Sequence, residues 1–138
     1  MSTSQYKSFL KCEAAALAKL KGDWAPTSDP KALLVGNYVH SYFESKEVHE
    51  AFKEENKSKM FSSRKPHGLL KDFQIAEQMI ERLKQEEVFM NIYQGEKETI
   101  VTGELFGTTW KGKIDCLNVE DEYFVDIKTT KDMHERKW

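Results

Sequence analysis

The chain has 138 residues, enough for one domain with its own core and too few for a second. Its 39% hydrophobic and 12% aromatic content excludes a disordered polymer, and its apolar runs fall far short of a membrane span. A formal charge of −2, from 21 basic and 23 acidic residues, excludes a uniformly positive surface but not a basic groove beside a cluster of acids.

The chain opens with no charged segment leading into an apolar stretch and a small-residue cleavage site, so a cytoplasmic protein is expected. Ser2 and Gln5 have the spacing of a capping box. Tyr6, Phe9, Leu10, Ala14 and Leu17 then recur at helical spacing up to a stop at Gly22, which predicts a first helix. GDWAPTSDP is a loop that ends with Asp29 as N-cap and Pro30 at the first position of a second helix. Leu33, Gly36, His40 and Phe43 share a face of that helix, with Glu44 beside His40, and the pattern continues more weakly through Phe52. From Glu54 to Lys71 the chain is polar and basic without a sustained period, as in a loop or a surface strand fragment. Lys57, Lys59, Arg64, Lys65 and His67 there either meet a phosphate backbone or are simply solvated. Leu70, Phe73, Ala76, Met79, Ile80 and Leu83 mark a third helix.

After Glu87 the period changes to alternation. VFMNIY, TIVTGELF, GTTWKGKIDCLNV and YFVDIKTT read as strands, with turns at QGEKE and EDE, giving an antiparallel meander of three or four strands. Helices first and strands after them define an α+β class. The closing KDMHERKW reads as the start of another helix. Cys12 and Cys116 have neither CxxC nor His spacing and are expected to be buried or idle thiols.

Chemistry concentrates in the last strands. In FVDIK, alternation places Asp126 and Lys128 on one strand face, and a tight turn brings Asp115 across from them. Two carboxylates at one point on a sheet repel unless a cation joins them, and oxygen ligands suit Mg²⁺ or Mn²⁺. A lysine beside such a site can orient a metal-bound water or neutralise charge developing on phosphate. The competing reading is a surface ion pair between Asp126 and Lys128. Gly36, one turn before His40, lets the helix approach the sheet, so the imidazole either reaches the metal or is structural. Glu104 either adds a carboxylate or faces solvent on a sheet edge. Lys111 and Lys113 share the parity of Asp115 and either contact phosphate or balance its charge.

GNYVH, GTTWKGKIDCL and FVDIKTT, in this order, resemble the PD-(D/E)xK nuclease superfamily, specifically its RecB-type and RecE-like phage exonucleases. The resemblance implies a restriction-endonuclease-like core, with residues 1–138 forming a single domain that lacks its C-terminal helix and strand. Asp115 matches the first aspartate of the signature, Asp126 and Lys128 its (D/E)xK, and His40 the helical histidine of RecB-type members. It further implies Mg²⁺ or Mn²⁺ on His40, Asp115, Asp126 and the backbone carbonyl of Ile127, with Lys128 activating water, while Glu104 is a candidate catalytic carboxylate only by its place on the strand before that of Asp115. Two cysteines are too few for the iron–sulfur cluster that some members carry. The implied substrate is double-stranded DNA with free ends, inside a bacterial host cell. The implied partners are a single-strand annealing protein or recombinase and further copies of the chain, with no membrane. The alternatives are an inactive DNA-binding or assembly module of the same fold, and a plain interaction domain.

Overall fold

Helices precede a three-stranded sheet in the residues that the computed structural model describes, 1–25 and 30–130. The first helix, α1 (Thr3–Lys11), starts with the expected capping box: Gln5 donates its backbone N–H to the Ser2 hydroxyl, and Ser2 donates its own to Gln5 Oε1. One continuous helix to Gly22 does not form. Cys12 is extended (φ −164°, ψ 103°), and the chain resumes as α2 (Glu13–Lys21), ending on Gly22 at φ 80°. A single-residue break barely disturbs the spacing of apolar residues, so periodicity does not sense it. Ser8 and Phe9 of α1 share a small cleft with Ala16 and Leu20 of α2.

The second helix also divides, into α3 (Pro30–Glu44) and α4 (Lys46–Glu55), while its expected cap, Asp29, lies outside the described residues. Between them Ser45 is extended, and its hydroxyl accepts from Val48 N–H at 3.1 Å, satisfying one orphan donor of α4. Across this break the buried Ser41 hydroxyl and His49 Nδ1 hydrogen-bond at 2.9 Å. Burial, and next to it the Lys53 charge, lower the His49 pKa. The basic stretch contains a short helix, α5 (Lys57–Met60), and an antiparallel bridge between Phe61 and Leu69.

The third predicted helix is α6 (Lys71–Gln85), which buries Phe73, Ala76 and Ile80 at spacings of one helical turn. These meet Tyr38 and Val39 of α3, together with Cys116 and Ile127 from the sheet side, in one core. Each fully buried large apolar side chain contributes about 1.5–3 kcal/mol. Tyr38 and Val39 thereby anchor α3 directly beside His40. The Tyr38 hydroxyl donates to Glu77, and burial with that carboxylate raises its pKa.

VFMNIY is not a strand. Its residues form α7 (Glu87–Ile92), which leaves Val88, Met90 and Ile92 exposed and stacks Phe89 on Tyr93, centroids 5.0 Å apart, with Phe43 against both rings. The meander therefore has three strands, β1 (Glu96–Leu105), β2 (Thr108–Asn118) and β3 (Tyr123–Val125), antiparallel and in that spatial order. Phe106 (φ 54°) and Gly107 (φ 68°) form the two-residue β1–β2 turn, whose doubly positive φ matches the twist of a hairpin. Because β3 is short, part of the β2 edge stays open, and the N-terminus occupies some of it. The Met1 ammonium donates to Thr109 O, and Lys111 N–H donates to Met1 O, both at 2.8 Å. The class is α+β, and among the described residues no helix is long and apolar enough to cross a membrane.

Candidate metal centre

Strand register assembles the acids. The β1–β2 ladder pairs Lys97 with Cys116 and Thr99 with Ile114, so the position it skips sets Glu98 against Asp115. Glu98 interrupts the ladder because its backbone is left-handed, φ 55°, an uncommon state for a non-glycine residue in a strand. On the other side, Cys116 pairs with Val125, and one further step in the same register sets Asp126 against Asp115.

Asp115 is 7% exposed. Its Oδ2 accepts from the Ile127 N–H at 2.6 Å, and its Oδ1 lies 3.4 Å from His40 Nδ1. The histidine arrives on α3, which can lie close to the chain after Lys128 because position 36 is glycine. A Cβ there would sit 3.1 Å from Thr129 Oγ1. Behind the aspartate, the Tyr93 hydroxyl donates to the Asp115 carbonyl at 3.3 Å, and burial followed by the Asp115 charge raises its pKa. The Lys97 ammonium donates to Tyr93 O at 2.7 Å and to the buried Cys116 sulfur at 3.1 Å.

Glu98 is similarly sheltered, its side chain 11% exposed and ion-paired with Lys113. Its Oε2 is buried and accepts no hydrogen bond of regular geometry, which leaves the Lys113 ammonium to neutralise it. One ligand atom each from His40, Glu98 and Asp115 lies within 4.8 Å of the others. Two carboxylates at that distance repel by about 3–4 kcal/mol at an effective dielectric near 20. A divalent cation would turn this repulsion into attraction, and one imidazole with two carboxylates suits Mn²⁺ or Mg²⁺. The residues present fit such an ion.

Of the residues singled out from sequence, His40 and Asp115 come together here, and Ile127 holds Asp115 through its N–H. Asp126 stands outside the group of three and is ion-paired with Lys128 instead. Glu104 is not brought to the site. It pairs in register with Thr109, whose hydroxyl donates to it at 2.7 Å, roughly 20 Å along β2 from Asp115. The carboxylate in its place is Glu98, the last residue of QGEKE, a segment with the composition of a turn. A signal for it existed: Glu98 and Asp115 are equidistant from the Phe106–Gly107 turn, so counting outward from that turn pairs them. Tyr93 was missed because its segment read as a strand.

A sheet-borne acid pair met by a helical histidine, with Asp-x-Lys leaving the last strand, defines the PD-(D/E)xK class of fold. The chain belongs to the family described as PDDEXK-like domain of unknown function (DUF3799), whose profile matches residues 2–138. It is also similar to a crystal structure from Eubacterium rectale described as a "Putative exonuclease", with 40% identity and a TM-score of 0.72 over 85% of this chain and 44% of that one. The chain thus spans less than half the length of that protein. No protein of curated function matches it.

Proposed function

We propose that this chain is the metal-binding core of a deoxyribonuclease that hydrolyses DNA phosphodiester bonds, working from the ends of linear duplexes in phage-type recombination. The observation that carries the reading is the convergence of His40, Glu98 and Asp115 ligand atoms within 4.8 Å, near the Asp126–Lys128 pair. The family and the similarity to the Eubacterium rectale protein support it. When bound, Mg²⁺ or Mn²⁺ would supply charge for the phosphate and acidify a water.

The side chains have separable roles in this reading. Asp115, fixed by the Ile127 N–H, and His40, fixed by the packing of α3, hold their ligand atoms in place before substrate arrives. Glu98 completes the set, and Asp126 is a fourth candidate ligand. Lys128 is exposed and ion-paired to Asp126, so its ammonium stays beside the acids yet within reach of a phosphate. There it orients the attacking water and offsets negative charge as the new P–O bond forms and the old one breaks. The products are a phosphate monoester at one end and a hydroxyl at the other.

The test is degradation of linear and closed circular duplex DNA with Mg²⁺ or Mn²⁺, using Lys128→Ala and Asp126→Ala as controls. Loss of linear DNA alone, abolished by either substitution, is expected. Metal binding without cleavage would instead identify a DNA-binding module of the same fold, and absence of both would sink the metal-centre reading.

A further inference from the structure

The hairpin that carries Glu98 and Asp115 extends well beyond them, and the proposed hydrolysis uses none of the remainder. On β2, Lys113 and Lys111 follow Asp115 at two-residue steps and so share its face. With Lys7 of α1 and Lys128 they line a cleft of about 710 Å³ that also borders Asp126, a size typical of ligand sites. Lys113 and Lys128 are balanced by Glu98 and Asp126, whereas among the described residues Lys7 and Lys111 form no ion pair. Two uncompensated ammonium groups therefore face a cleft that leads to the acids.

Toward the hairpin turn the surface changes character. On the opposite face of β2 from the lysines, Tyr6 and Trp110, with ring centroids 5.4 Å apart, line a second recess of about 390 Å³ that reaches Leu105 and, in the turn itself, Phe106. Phe106 is 95% exposed and occupies a left-handed turn position that glycine or asparagine normally fills. Its side chain strains the backbone there and gains almost no packing in return, so the folded chain alone gives no reason for it.

We infer that the distal hairpin and α1 form a path for a single-stranded polynucleotide, with Lys7 and Lys111 taking backbone phosphates and Phe106, projecting from the turn, stacking on a base. The inference rests on the nuclease reading and names the form of DNA its site would hold. A cationic track ending at an exposed ring is an arrangement that binds single strands, since every unpaired base offers a π-face. In a duplex only the terminal pair does so, and a basic cleft alone would not discriminate.

The experiment is fluorescence anisotropy in EDTA, where neither metal nor cleavage contributes, with labelled oligothymidylate and a labelled dumbbell duplex that has no free end. The Lys7→Ala/Lys111→Ala double variant should bind oligothymidylate at least about tenfold more weakly and lower its salt slope by about 1.4. Phe106→Asn suits the turn and should melt no lower than wild type, yet bind oligothymidylate about 5- to 100-fold more weakly and the dumbbell unchanged. Unaltered oligothymidylate affinity in either variant, equal losses on both DNAs in Phe106→Asn, or no binding by the folded wild-type chain would overturn the inference. Asp115→Asn separates the two readings: it should lose the metal centre and keep oligothymidylate binding.

Discussion

The two halves of the β1–β2 hairpin share a ladder and little else. In the half next to the helices Cys116 is fully buried, Asp115 and Glu98 are nearly so, and both of these acids have a partner, His40 for Asp115 and Lys113 for Glu98. In the distal half Leu105 is 54% exposed, and the main supports outside the ladder are the Met1 backbone and the Tyr6–Trp110 contact. Burial fixes a register, because a one-residue slip would swap the two faces of β2, placing Asp115 where Cys116 packs. The inner half can therefore hold ligand atoms in place, whereas the outer half is free to present side chains to something larger.

Substitutions near the core should cost the most. Asp115→Ala leaves the buried Ile127 N–H without an acceptor and should destabilise the fold by about 1–3 kcal/mol in urea melts, besides removing a ligand. Asp115→Asn keeps an acceptor, so it should retain the stability while losing the rise in melting temperature on adding Mn²⁺. A full Mn²⁺ response in Asp115→Asn would count against the site. Next in size is Gly36→Ala, whose methyl would press on Thr129 and shift the chain at Lys128 by a few tenths of an ångström. Cleavage should fall about 10- to 100-fold, while melting changes little because alanine gains about 1 kcal/mol of helix propensity. Thr129→Ala in the same chain should restore the rate, and no rescue would show that this contact does not position Lys128.

A smaller effect concerns pH. Burial lowers the His49 pKa below its ordinary 6.5, so the folded chain keeps this ring neutral where the unfolded chain takes up a proton. The associated stability is complete above pH 6.5 and is lost as pH falls from there toward the depressed folded value. Urea midpoints for wild type and His49→Gln should show this acid slope only in the former. The smallest effect belongs to Glu104→Gln in the distal half, which should change stability by less than about 0.5 kcal/mol and leave metal binding and cleavage unaltered. A clear loss of cleavage would return Glu104 to the site and blur the contrast between the halves.

Sequence alone revealed the parts whose signals are local. The capping box at Ser2, the apolar stripe of α6, and the alternation that puts Lys111, Lys113 and Asp115 on one strand face all depend on near neighbours. VFMNIY is ambiguous because five of its six residues are apolar or aromatic, so either period fits, and the helix is selected by packing of Phe89 and Tyr93 against Phe43, far away in sequence. Gly36 marks a close approach in the sequence as well as in the structure, where a Cβ would meet the Thr129 hydroxyl. Glu98 escaped because its role depends on the turn position and on a left-handed backbone that no residue pattern announces. Glu104 looked equally suitable, since strand parity cannot say how far along a hairpin a carboxylate lies.

The most direct test of the metal centre is calorimetric titration of Mn²⁺ into the wild-type chain and into Glu98→Gln, without DNA. One saturable site is expected in the wild type, weakened at least tenfold, or about 1.4 kcal/mol, in Glu98→Gln. Equal affinity in the two proteins, or no saturable binding by the wild type, would contradict the assignment of His40, Glu98 and Asp115 to a shared ion.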